Sequence, residues 1–352
     1  MRYNRLGASG LKVSALQLGT MTFGGKGVFA RTGNTDVAGA RRMIDMAVDA
    51  GVNMLDTANA YSGGASEEII GEVLMGRRND VLLATKARFP TGPGPNDRGL
   101  SRHHLIAACE DSLRRLKTDH IDLYWCHEWD GQTPVEETLC ALDDLTRAGK
   151  IRYFGVSNFS GWHLMKYLAA AERDNVVRPI AQQIHYTLQA RDAERELLPI
   201  GVDQQVDAVI WSPLAGGLLT GKYRRNQPEP EGTRRAEEWD EPPIYDVDAL
   251  YDIIEALIEV SEEHGDATPA QVALAWLLGR PGVSSLIVGA RTEAQLEANL
   301  KAAEITLAPE AEAKLEQVSR PSLAYPYWHQ RNTVPDRLSP ADLALLAPYL
   351  DG

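Results

Sequence analysis

Eight short runs rich in β-branched and aromatic residues alternate with longer stretches in helical phase, and this alternation constrains the chain more than any other feature. The runs are "SALQLGT" (14–20), "NMLDT" (53–57), "VLLATK" (81–86), "IDLYWCH" (121–127), "IRYFGVS" (151–157), "IAQQI" (180–184), "AVIWSP" (208–213) and "SLIVGA" (285–290). Between them, stretches such as "RRMIDMAVDAG" and "VEETLCALDDLTRAGK" repeat apolar residues at three- and four-residue spacing. Gly51 and Gly149 follow their ends, and Pro134 opens the second after a Thr133 cap. Parallel strands need crossover helices, and eight is the number that closes a parallel barrel. The predicted fold is α/β, a (β/α)8 TIM barrel. It forms a single domain over residues 1–352, with the barrel at about 15–305 and a C-terminal extension at about 306–352.

Three pieces fall outside the eightfold pattern. "YNRLGASGLKVSA" reads as an N-terminal β-hairpin that caps the barrel floor. Segment 213–247, after the seventh barrel strand, is rich in Gly, Pro and charge and too long for an ordinary connection, which marks a lid or binding loop. The tail from Arg320 mixes aromatics and prolines and is expected to fold over one barrel face.

Composition excludes several function classes. A net charge of -13 argues against an electrostatic grip on nucleic acid or anionic lipid. No run approaches the roughly 20 apolar residues that span a bilayer, and the N-terminus lacks the apolar core of a signal peptide. A cytoplasmic protein with no nucleic-acid or membrane partner is expected, and homo-oligomerisation is left open. Cys109, Cys126 and Cys140 form neither a CxxC nor a paired framework. Cys126 adjoins His127, but neighbouring strand residues face opposite sides. There is no His-x-His at a strand end, and His103 and His104 at a helix start read as solvated, so no metal is expected.

Barrels of this kind build active sites at the C-terminal ends of their strands. Asp56 ends the second run, Lys86 the third and His127 the fourth, with Tyr61 in the loop beyond the second. Singly these are a helix cap, a snorkelling cation, a structural histidine and a packed ring. Gathered at one mouth, they can move a proton. A lysine cation beside a phenol lowers its usual pKa of about 10 by about one to three units. Asp56 would keep Lys86 charged and aimed, and His127 would orient a carbonyl oxygen. Such a set protonates a developing alkoxide once a hydride arrives.

"DTANAY", "LLATK" and "DLYWCH" resemble the motifs around the Asp, Tyr, Lys and His tetrad of the aldo-keto reductases, nicotinamide-dependent enzymes built on a (β/α)8 barrel. "GKIRYFGVSNFS", "WSPLAGGLLTGKY" and "VGARTEAQLEAN" extend the similarity in the family's order over roughly residues 3 to 320. The later strands and the long loop resemble the branch that includes potassium-channel β subunits and bacterial reductases. The resemblance implies reversible reduction of an aldehyde or ketone, with hydride from nicotinamide C4 and the proton from Tyr61. The alternative it carries is a cofactor-sensing subunit with little turnover.

The chain has no strand-turn-helix GxGxxG, so a Rossmann module is rejected. The family binds NADPH across the barrel mouth without one. NADPH is expected here, with NADH as the alternative. The resemblance places Ser157, Asn158 and Gln183 on the nicotinamide carboxamide and Trp211 against the nicotinamide ring. Gly19, Thr20, Met21, Asp56, Ser212, Pro213, Leu214, Gly217, Lys222 and Gly289 also line the cofactor, Lys222 at its pyrophosphate. Arg291, Gln295 and Asn299 recur every four residues near a helix start, and a guanidinium there favours the 2′-phosphate of NADPH. Ala298 stands where close relatives commonly carry glutamate, so the resemblance does not carry over one contact to the adenosine end. Phe23, Phe29 and Trp129, with Tyr325 and Trp328 of the tail, either line the pocket mouth, which suits a bulky apolar ketone or aromatic aldehyde, or pack the loops to the barrel.

Overall fold

The structure, a computed structural model, describes residues 1–233 and 241–350. Residues 234–240 of the long loop and the last two residues of the C-terminal extension lie outside the described residues.

Strands β1 (Tyr3–Arg5) and β2 (Lys12–Ser14) pair antiparallel as the expected hairpin. Strands β3 (Leu16–Gly19), β4 (Met54–Asp56), β5 (Leu82–Ala87), β6 (Ile121–Cys126), β7 (Ile151–Ser157), β8 (Ala181–His185), β9 (Asp207–Trp211) and β10 (Val283–Val288) form a closed parallel barrel, with β10 returning to β3. Every predicted run supplies one of these strands. Helices α1 (Val37–Asp49), α2 (Ala65–Val73), α3 (Arg102–Leu116), α4 (Val135–Arg147), α5 (Gly161–Asp174) and α6 (Leu197–Gln204) follow β3 to β8 in turn. The pair α7 (Val247–His264) and α8 (Pro269–Leu278) precedes β10, and α9 (Glu293–Leu300) follows it.

Strand alternation sorts the side chains. Met54, Ala84, Leu123, Trp125, Ala181, Val209 and Ile287 fill the barrel, while Tyr124 and Cys126 face the helices. Burial pushes the Cys126 thiol up to about 12, so it carries no thiolate chemistry.

Leu6 and Val13 of the hairpin join the interior cluster, which plugs the floor as expected. Gly7 makes that seat possible. Its φ is +56°, and a Cβ there would lie 2.1 Å from the Ile180 carbonyl oxygen. With the floor closed, the polar mouth at the opposite end is the open one.

Three expectations are corrected. Thr133 does not cap α4. Its hydroxyl donates to Asp130 at 2.7 Å, Asp130 also gathers the Leu100 and Gln132 amides, and Pro134 takes the capping position. His104 is buried rather than solvated, because α3 turns it inward. The tail runs through α10 (Pro309–Ser319), α11 (Tyr327–Thr333) and α12 (Pro340–Leu346), and α12 packs on α6, on the barrel flank and not across a face. It buries Leu345 and Leu346 and leaves Tyr325 exposed. The Arg191 guanidinium, itself buried, clamps the loop before α6 to α10 by bonding both Glu194 and Glu316.

Candidate active site

Parallel register brings the tetrad together. Asp56 ends β4 and pairs with Ala84 of β5, so Lys86 projects inward just above it. The Lys86 Nζ donates to Asp56 Oδ1, to the Thr57 carbonyl at 2.8 Å and to the Tyr61 hydroxyl at 3.3 Å. Lys86 is fully buried, and its ammonium lies 5.0 Å from the Tyr61 ring centroid. Tyr61 opens a short helical turn (Tyr61–Gly64), and its ring meets the His127 ring edge-on at 6.0 Å. His127 follows β6 and faces inward, as alternation from Trp125 requires.

The charges are set by competition between burial and partners. Burial pulls Lys86 downward, but Asp56 and then Tyr61 outweigh it and hold the ammonium above its ordinary range. Asp56 is itself shifted upward, because burial exceeds the pull of Lys86. The expected lowering of the phenol is overturned. Burial of the hydroxyl raises Tyr61 above its usual value; Lys86 recovers part of that, and Asp56 adds to it. Asp56 offsets part of the lysine's pull on the phenol, and what remains of that pull is smaller than the effect of burial. Burial, then Lys86 and Arg88, hold His127 well below its ordinary value. The neutral imidazole keeps one N–H, the donor needed to orient a carbonyl oxygen.

Several of the residues expected to hold a cofactor could take a carboxamide. Ser157, the last residue of β7, stands opposite Gln183 in the middle of β8. The Ser157 hydroxyl is buried with no partner among the described residues, and a carboxamide would satisfy it. Gln183 lends its amide N–H to Asp56 Oδ2 at 2.9 Å. Asn158 is left-handed at φ 56°; its Oδ1 accepts from Trp211 Nε1 at 3.0 Å, and its Nδ2 donates to the His127 carbonyl at 3.1 Å. Asn158 thus orients the Trp211 indole, which remains half-exposed at the end of β9.

Ser212, at φ 48°, bends the chain away from β9, and its hydroxyl accepts from the Gly216 amide at 3.1 Å. Pro213 is buried behind it, and Leu214 is half-buried. Gly217 turns beneath Lys222, whose exposed ammonium lies 3.2 Å from where a Gly217 Cβ would stand. At the other rim, Gly19 and Thr20 are buried, the Thr20 hydroxyl donating to the Asp56 carbonyl at 3.0 Å, while Met21 is half-buried. Gly289 is exposed with open space about its Cα.

Spacing misjudged the last unit in part. Arg291 precedes the Thr292 cap of α9, so it is not on the helix face; its N–H meets Gln295 Oε1 at 2.9 Å. Gln295 is exposed, whereas Asn299 turns into the core.

Of the substrate candidates, Phe29 reaches the site, its ring edge-on to Tyr61 at 5.5 Å. Phe23 does not. It is fully buried within the loop between β3 and α1, where its apolar ring joins the outer core. Trp129 stacks on His163 at 3.9 Å and meets Phe159 and Trp162, which packs its loop against α5. Phe89, 4.6 Å from the His127 ring, and Arg88, 3.8 Å from Glu128, are mouth residues that sequence reasoning missed. Their signal was present, directly after the strand-ending Lys86.

Among the described residues no helix is long and apolar enough to cross a membrane, and no cluster of His, Cys, Asp or Glu could hold a metal.

Comparison with known proteins agrees with this geometry. The Aldo/keto reductase family model matches residues 15–320. The chain is 42% identical to the uncharacterized oxidoreductase YrpG of Bacillus subtilis, over 87% of this chain and 92% of that one. It is 38% identical to a probable voltage-gated potassium channel subunit beta of Arabidopsis thaliana, over 90% of this chain and 96% of that one. A protein of the same name from Oryza sativa is 37% identical, with the same coverage.

Proposed function

This chain belongs to the aldo/keto reductase family, whose members are oxidoreductases, and we propose that it reversibly reduces an aldehyde or ketone to the alcohol with NADPH. The observation that carries the reading is the buried Lys86 ammonium, bonded to Asp56 and standing 3.3 Å from the Tyr61 hydroxyl. When bound, the reduced nicotinamide supplies a hydride to the carbonyl carbon. Tyr61 gives its proton to the carbonyl oxygen, and Lys86 stabilises the phenolate left behind. Neutral His127 donates to the same oxygen and aims it at Tyr61. Ser157 and Gln183 would hold the carboxamide, Trp211 the ring face and Lys222 the pyrophosphate. Arg291 carries the preference for the 2′-phosphate, with NADH as the weaker donor. Phe29 and Phe89 bound the substrate side, which suits an apolar or aromatic carbonyl.

The names of the Arabidopsis and rice relatives favour a second reading, a nicotinamide-sensing subunit with little turnover. Turnover separates the two. A carbonyl panel with NADPH and NADH, on wild type and Tyr61→Phe, is followed by loss of nicotinamide absorbance. The reductase reading expects consumption by wild type and at least a hundredfold loss, in order of magnitude, in the variant, as general-acid removal gives. Tight cofactor retention without consumption would support the sensing reading.

A further inference from the structure

Arg291 is tied to two loops at the barrel mouth. Its Nε donates to the Thr32 carbonyl at 3.2 Å, its Nη2 to the Arg31 carbonyl at 2.9 Å and its Nη1 to the Gly232 carbonyl at 2.7 Å. Arg31 closes a short helical turn (Gly27–Arg31), and Thr32 folds back on it. The Thr32 amide and hydroxyl both donate to the Phe29 carbonyl, at 3.0 and 2.7 Å. Phe29 in turn stands edge-on to Tyr61.

The turn holds no buried residue, and Val28 is 67% exposed, so apolar burial does not fix it. Gly25 and Gly27, at φ 59° and 60°, flank its start and give the chain freedom there. At its other end, Lys26 donates from its amide to Ser62 Oγ at 3.3 Å, a long bond. Thr32, fully buried, also donates its hydroxyl to the Met21 carbonyl at 3.2 Å, and the charged fork of Arg291 adds an anchor that bonds several carbonyls at once.

We propose that Arg291 is a positioning residue for the carbonyl substrate: by holding the Arg31 and Thr32 carbonyls it fixes Phe29 as a wall over Tyr61. The arginine at the phosphate end of the cleft thereby sets the fit of the substrate's substituent at the reacting end. An aryl aldehyde touches this wall, and a small aliphatic aldehyde does not. The inference rests on reading Tyr61 as the proton donor beside the substrate.

The test has two arms. In cofactor-free protein, hydrogen exchange of the amides in residues 27–32 is compared between wild type, Arg291→Met and Arg291→Lys. The Met variant is expected to exchange about tenfold faster there, with Lys intermediate, as loss of a local anchor requires. Wild-type exchange in both variants overturns the proposal. In the second arm, at saturating NADPH for each protein, the ratio of KM for benzaldehyde to KM for propanal is measured. It is expected to rise about fivefold in Arg291→Met and in Phe29→Ala, with no further rise in the double variant, because the two changes break one device. An unchanged ratio, or fully additive effects, overturns the proposal. If wild type consumes no NADPH with any aldehyde, the reductase reading fails, and the exchange arm still decides whether Arg291 holds the turn.

Discussion

Replacing Lys86 by Met removes the ammonium 3.3 Å from the Tyr61 hydroxyl and leaves a side chain of similar length. At that separation, with an effective dielectric constant of about 20, a phenolate and an ammonium attract by about 5 kcal/mol. Part of this is returned. Asp56, 2% exposed and deprived of its partner, takes up a proton, and its opposing field on the phenol disappears with its charge. A net loss of about 3 kcal/mol remains, or roughly a hundredfold in kcat. The assay is NADPH consumption with a saturating aldehyde between pH 6 and 10, cofactor affinity being measured separately. A kcat within about threefold of wild type across this range would refute the argument that Lys86 stabilises the phenolate.

Arg191→Met leaves Glu194 with the Tyr186 hydroxyl and Glu316 with Arg320 as their remaining partners and is expected to cost about 3 kcal/mol in denaturant titration; a change below about 1 kcal/mol would show that the clamp is idle. Gly7→Ala places a methyl against the Ile180 carbonyl and is expected to lower stability by more than about 2 kcal/mol, read as a fall in Tm. His104, His127 and His185 are each held below the ordinary histidine value, burial being the first cause. The unfolded chain therefore binds protons that the native chain refuses, so stability falls as pH drops below about 6.5, by up to about 1.4 kcal/mol per pH unit for each histidine. His127→Asn should flatten that decline, and an identical pH–stability slope in the variant would count against its neutral burial.

The barrel was legible because its signals are local: β-branched runs, helical phase and the turn glycines Gly51 and Gly149 each report on a few neighbouring residues. The tetrad was legible for a related reason. In a parallel barrel all strand ends open at one mouth, so Asp56, Lys86 and His127 are brought close by topology alone. The errors concern quantities that depend on what arrives from elsewhere in the chain. Phe23 resembles a pocket residue until its own loop turns the ring into the outer core, and α12 could have covered a face until α6 offered its flank.

By itself, then, the sequence determined the strand count, the polarity of the barrel and the identity of the groups at its mouth, since these follow from periodicity and order. Tertiary structure alone decided that burial outweighs Lys86 at the Tyr61 hydroxyl, that Asn158 serves the Trp211 indole, and that Arg291 grips the turn carrying Phe29. Desolvation and partner choice are sums over atoms far apart in the chain, and no local pattern encodes such a sum.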